Sequence, residues 1–204
     1  MKARDLIQEV ATRGAAPGFK AVGFRKAGLR FARRLGGVDQ VVEFQLSAYN
    51  FADEGRFFIN VGLAFDELWA LDGEARPERL PASRCHLSLR IADYVPGAPH
   101  KWDVSAATDR DALAAELAGH VAALVAELDR LGSIPAALGL PILGQFAGLI
   151  LRARLRYATG DRTGALADLQ AAADAFADRQ GMSVAALIER HGLVGLADSG
   201  AAGG

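Results

Sequence analysis

The chain has 204 residues and 51% hydrophobic content, enough to bury a core, and its net charge of −1 gives no overall field for nucleic acid or acidic substrates. A single cysteine, Cys85, excludes an internal disulfide and a cysteine-based zinc site and fits a reducing cytoplasm. The charge is uneven, however: nine Lys and Arg residues face three acids between Met1 and Gln40.

The first helix is expected from about Ala3 to Arg13, with Ala3, Leu6, Ile7 and Val10 on one face and Gly14, Pro17 and Gly18 ending it. Lys2, Arg4, Asp5, Gln8 and Glu9 interrupt any apolar run there, so no signal peptide is read. A strand block follows. Leu29–Leu35 alternates, with Leu29, Phe31, Arg33 and Leu35 on one side and Arg30, Ala32 and Arg34 on the other. Gly36-Gly37 is a two-residue hairpin signal, and Val38–Tyr49 is the return strand. A polar turn over Phe51–Gly55 leads to Arg56–Phe65, whose odd positions from Phe57 to Phe65 form an apolar face. A loop is expected from Asp66 to Ser83, then a strand over Cys85–Ile91, with Cys85 on its apolar side, and a short last strand over Lys101–Ser105.

From there the pattern is helical. Thr108 and Asp111 fit a capping box, and Leu113, Leu117, Val121, Leu124, Leu128 and Leu131 form a stripe that Gly132 ends. A second helix is expected from Pro141 to about Ala158. The apolar stretch Ala136–Leu151 is shorter than the roughly 20 residues of a membrane span and carries Pro141 and Gln145, so it reads as a buried loop and core helix. Gly160-Asp161 makes a turn into a helix lined by Ala165, Leu166, Leu169, Ala173 and Phe176, a pair that is similar to a tetratricopeptide hairpin. One such hairpin is no solenoid. A last helix runs near Ser183–His191, and the tail has no apolar pattern. Strands followed by helices mean an α+β fold: an N-terminal helix, a mainly antiparallel sheet of four to five strands, then C-terminal helices. The expected division is an α+β domain over 1–132, a helical extension over 133–194 and a flexible tail over 195–204.

Gln45 and Asn60 sit inside apolar runs but fall on the second face of their strands, with Glu43, Ser47, Tyr49, Arg56 and Phe58. His86, Ser88 and Arg90 share that face on the later strand, and Arg30 and Arg34 on the first, opposite Glu43. An antiparallel sheet ordinarily leaves one face in water, and the charges then form cross-strand pairs. The other reading is a binding platform: Gly62 and Ala64 would leave a hollow beside Phe58 and Tyr49, ringed by amides and arginines suited to a polar ligand or peptide.

The motifs GFRKAGLRFARR, VEFQLS, FFINVGL, CHLSLRI and KWDV, in this order, resemble an uncharacterised bacterial family known only as a domain of unknown function. That family shows GF-x-x-x-G-x-x-F, Q-x-S, F-x-I-N-x-G and C/R-H-L-x-x-R-I segments with a following tryptophan, and the resemblance spans roughly Phe19 to Leu138. It implies an α+β domain and assigns no catalytic residue. Gln45, Ser47, Asn60, Gly62, His86 and Arg90 are the positions matching its polar motif residues.

Catalytic patterns are absent from the sequence. His86, His100, His120 and His191 show no H-x-x-x-H or H-E-x-x-H spacing, so no metal site is read. There is no G-x-S-x-G elbow, phosphate loop or G-x-G-x-x-G, and no cofactor is expected. The expectation is a cytoplasmic, non-catalytic module. It would bind a protein partner or small polar ligand through Arg30, Gln45, Asn60, His86 and Arg90, with Tyr49 and Phe58 supplying area. Two alternatives remain: an enzyme using His86 as acid/base and Arg90 as anion clamp, and nucleic-acid binding through Arg25 to Arg34. No membrane contact is expected, and the sequence leaves oligomeric state open.

Overall fold

The computed structural model describes residues 2–48, 54–145, 148–175 and 183–196. The turn expected after Phe51 falls mostly outside them, as do Phe176 and the tail from residue 197. The chain forms two compact units, one of residues 1–64 and 77–132, the other of residues 65–76 and 133–204.

The first unit is a sheet with helices on one face. Helix α1 (Ala3–Val10) does not stop at Gly14 as the sequence suggests. It passes through a π-helical turn, Ala11–Ala15, into α2 (Ala16–Ala21). Pro17 falls in the first turn of α2, directly after the π-helical turn. Gly14 lies against helix α4 (Arg110–Arg130), where any Cβ would run into the Ala114 carbonyl, so its role is close approach rather than helix termination.

Among the described residues the sheet has six strands: β1 (Arg25–Ala27), β2 (Arg30–Leu35), β3 (Val38–Leu46), β4 (Glu54–Phe65), β5 (Leu87–Arg90) and β6 (Trp102–Ser105). It is antiparallel in the order β1-β2-β3-β4-β5, with β6 also paired to β4. The β2–β3 hairpin turns at Gly36, whose φ of 59° needs a residue without a Cβ, and the register places Arg30 opposite Glu43 and Arg34 opposite Asp39. β4 is long enough to pair with β5 over Asn60–Leu63 and with β6 over Glu54–Phe57 on the same edge.

Period-2 alternation then fixes two faces. On the helix-covered face an aromatic row runs across the sheet: Phe24, Phe19, Phe31, Phe44, Phe57 and Trp102, with successive ring centroids 5.0, 4.7, 6.0, 5.8 and 5.2 Å apart. Aromatic pairs at such spacing contribute about 0.5–1.5 kcal/mol each beyond the area they bury. Two polar residues interrupt this face. Gln40 is fully buried and its Nε2 donates to the Leu128 and Leu131 carbonyls at the end of α4. Arg33, its side chain only 7% exposed, donates to Gln40 Oε1, the Val22 carbonyl and Asp129 while lying over the Phe24 ring. These contacts give the Leu131 and Val22 carbonyls side-chain donors at a helix end and a turn, and add a second donor to the Leu128 carbonyl, which also accepts from the Leu131 amide.

The N-cap of α4 is Asp109, which accepts from the Asp111 and Ala112 amides at 3.0 Å; Thr108 instead accepts from the Ser105 amide. The N-cap therefore falls one residue after Thr108 and the expected box does not form, since the third helical residue is then Ala112; the Asp carboxylate is the stronger acceptor for the first-turn amides.

The second unit is helical: α3 (Asp66–Leu71), α5 (Ile134–Leu138), α6 (Leu149–Ala158), α7 (Arg162–Ala175) and α8 (Val184–Arg190). The segment read as loop from Asp66 thus begins with a short helix, and the helix expected from Pro141 is a 3₁₀ turn, Pro141–Gly144, with α6 starting only at Leu149. The α6–α7 hairpin turns at Gly160, with φ of 86°, and buries Ala153, Ala165, Leu169 and Ala172 with Leu187 of α8. Asp168 is buried between Arg152, which grips it with two donors, and Arg156. Among the described residues, no helix is long and apolar enough to cross a membrane.

Candidate functional site

The second face of the sheet is built from the even positions of β4 and β5 and the odd positions of β3 and β6, as the paired registers require. Its two ends differ. Around Gly62 the face is covered by a 3₁₀ turn, Ala82–Arg84, whose Ala82 amide donates to Glu43 Oε2 at 3.2 Å. Cys85 lies over Gly62, so close that a Cβ there would sit 2.5 Å from its sulfur. The hollow expected from Gly62 and Ala64 is therefore filled, and both residues are buried. Cys85 precedes β5 rather than extending it and packs on the polar face, not the apolar one.

Among the described residues the other part of the face is open, and there four of the expected site residues, Gln45, Phe58, Asn60 and Arg90, meet. The register sets Asn60 opposite Arg90 across β4 and β5. Asn60 Nδ2 donates to Gln45 Oε1 at 2.7 Å, and Arg90 Nη1 donates to Asn60 Oδ1 and, at 3.5 Å, to Gln45 Oε1. The Arg90 guanidinium carbon lies over the Phe58 ring, 4.3 Å from its centre, a cation–π contact. Gln45 is exposed and Phe58, Asn60 and Arg90 are half-exposed.

The remaining expected residues lie apart. Arg30, opposite Glu43, donates to the Leu80 carbonyl at 3.3 Å. His86 lies four residues before Arg90, about 13 Å in extended chain, and is not among Arg90's contacts. Tyr49 lies outside the described residues. Further along the same face, Ser47, Glu54, Gly55, Arg56, Asp103, Val104 and Ser105 line an open cleft of about 480 Å³. Arg56 there is paired with Asp103 at 2.5 Å across the β4–β6 register. The sequence reading did not single out this cleft, whose only signal was that Arg56 and Asp103 take the same parity.

The ionisable groups nearby are poorly suited to nucleophilic chemistry. Burial, with Asp39 and Glu43 adding, pushes the Cys85 thiol up to about 12, so it is protonated at neutral pH. Burial also raises the pKa of the Tyr94 hydroxyl, with Asp93 and Cys85 adding. Among the described residues, no three His, Cys, Asp or Glu side chains are grouped to hold a metal ion.

No curated protein and no solved structure matches the chain. A family model does, over residues 15–143, which takes in the whole sheet and its polar cluster. The chain accordingly belongs to the family described as a domain of unknown function, DUF4304.

Proposed function

We propose that the protein is a non-catalytic binding module of the cytoplasm whose polar sheet face takes a protein partner or a small polar ligand. One observation carries this reading: Gln45, Asn60 and Arg90, from three adjacent strands, form a single hydrogen-bonded cluster on an uncovered face with Phe58 under the guanidinium. Hydrogen bonds among the members hold their rotamers before any ligand arrives, which lowers the entropy lost on binding. The basic segment gives less support to a nucleic-acid reading, because Arg33 is buried against Asp129, Arg34 pairs with Asp39 and Arg30 is tied to Leu80.

The test is capture from a lysate of the source organism with the wild type and an Asn60→Ala/Arg90→Ala variant, both shown to be folded. A partner retained by the wild type and lost from the variant is expected. Identical capture by both would remove the face as a protein-binding site and leave small ligands to be screened by thermal shift.

A further inference from the structure

The polar cluster is unbalanced in a way that specifies what it would bind. Within it, the Gln45 oxygen accepts two hydrogen bonds and the Asn60 oxygen accepts one, all from members of the cluster. What remains outward is almost entirely donors: the Gln45 amide hydrogens and the Nε and Nη2 edge of Arg90. That edge is the planar fork that matches a carboxylate bidentately. The positive charge is also uncompensated, since among the described residues no carboxylate pairs with the Arg90 guanidinium. Asp93, three residues on in the chain, accepts from Arg90's own backbone amide at 2.7 Å, and Glu43 accepts from the Ala82 amide.

The face also has a length. From Asn60 it continues along β4 through Phe58 and Arg56 to Glu54, about 20 Å at strand rise, and its far part is the floor of the cleft lined by Ser47, Arg56, Asp103 and Ser105. At that end the charges cancel, with Arg56 and Lys101 both against Asp103 and with Glu54 lining the same cleft. A track of this length suits several residues of extended polypeptide, with its charge preference confined to the Arg90 end.

We propose that the occupant is an acidic segment of a partner protein, laid along β4 with one side-chain carboxylate on the Nε and Nη2 edge of Arg90. This rests on the reading of the face as a binding surface and adds the class of its ligand.

The experiment is fluorescence anisotropy at low salt with a labelled hexaglutamate peptide, with hexaglutamine as neutral control and free glutarate as competitor. The wild type should bind hexaglutamate, and hexaglutamine should bind at least about tenfold more weakly, as for loss of a charge-assisted bidentate contact. Arg90→Gln should weaken hexaglutamate by a similar factor, with Arg90→Lys in between. Ser88→Glu, at an exposed position on the same face, should also weaken it by occupying the arginine from within, a readout that stands if Arg90→Gln fails to fold. Hexaglutamate binding that is absent, or equal in wild type and Ser88→Glu, overturns the proposal. Glutarate as effective as the peptide overturns the protein segment in favour of a small carboxylate. Hexaglutamine bound by the wild type as well as hexaglutamate, and lost from Asn60→Ala/Arg90→Ala, overturns the acidic ligand while leaving the face a binding surface.

Discussion

A methyl group at Gly62 would meet the Cys85 sulfur at 2.5 Å and the Ala82 Cα at 3.0 Å, so the covering turn sits on the sheet with no room between. Gly62→Ala should destabilise the protein by about 1–3 kcal/mol, the usual cost of overpacking, read as a lower urea midpoint with unchanged slope. The thiol beneath that turn should be nearly silent. At pH about 8 a thiol reagent should label Cys85 slowly in native protein and fast in urea, because only the unfolded chain offers appreciable thiolate. The linkage has a definite sign. Above the ordinary thiol value of 9.0 the unfolded state loses a proton that the folded state keeps until about 12, so this group's contribution to stability falls as pH rises through that window. Gln45, Asn60 and Arg90 were legible in the sequence because a strand's two-residue period alone decides which face a side chain takes. Arg33 was not. Its parity placed it with Phe31, and nothing local announces that Gln40, Val22 and an Asp 96 residues away would satisfy it.

At the scale of elements, the strands were legible and the helix ends were not. Hairpin glycines and alternation bound β2, β3 and β4 closely, whereas β1 has no apolar alternation of its own and exists only as the edge partner of β2. The first helix runs through Gly14 because a π-helical turn there brings it against α4, a tertiary gain that overrides the propensity cost of a mid-helix glycine. Gly14→Ala puts a better helix former into a site with no room for its Cβ. It should lower the melting temperature, with a loss of about 1–3 kcal/mol from pushing two backbones apart, even though helix propensity alone argues for a gain. The covering turn and α3 escaped the sequence reading for a related reason: each is short, and its conformation is set by what it packs on.

For the molecule as a whole, the two units carry different pH sensitivity. His191 lies in the helical unit, where burial first, then Arg154 and Arg190, lowers its pKa from the ordinary 6.5. The unfolded chain therefore takes up a proton before the folded one, so the stability this group contributes is present above pH 6.5 and is lost as pH falls below it. His191→Gln should flatten that acid limb in urea titrations run between pH about 5 and about 7.5. The distribution of the two indoles makes the test separable. Trp69 belongs to α3 in the helical unit, although its neighbours in sequence before Phe65 and after Arg76 belong to the sheet unit, and Trp102 ends the aromatic row of the sheet. Each unit thus contains its own intrinsic fluorophore, and two single-site replacements, Trp69→Phe and Trp102→Phe, convert the protein into a pair of optically independent reporters. Acidification should shift the denaturation midpoint seen by Trp69 more than the one seen by Trp102, and equal shifts would mean that the units melt as one.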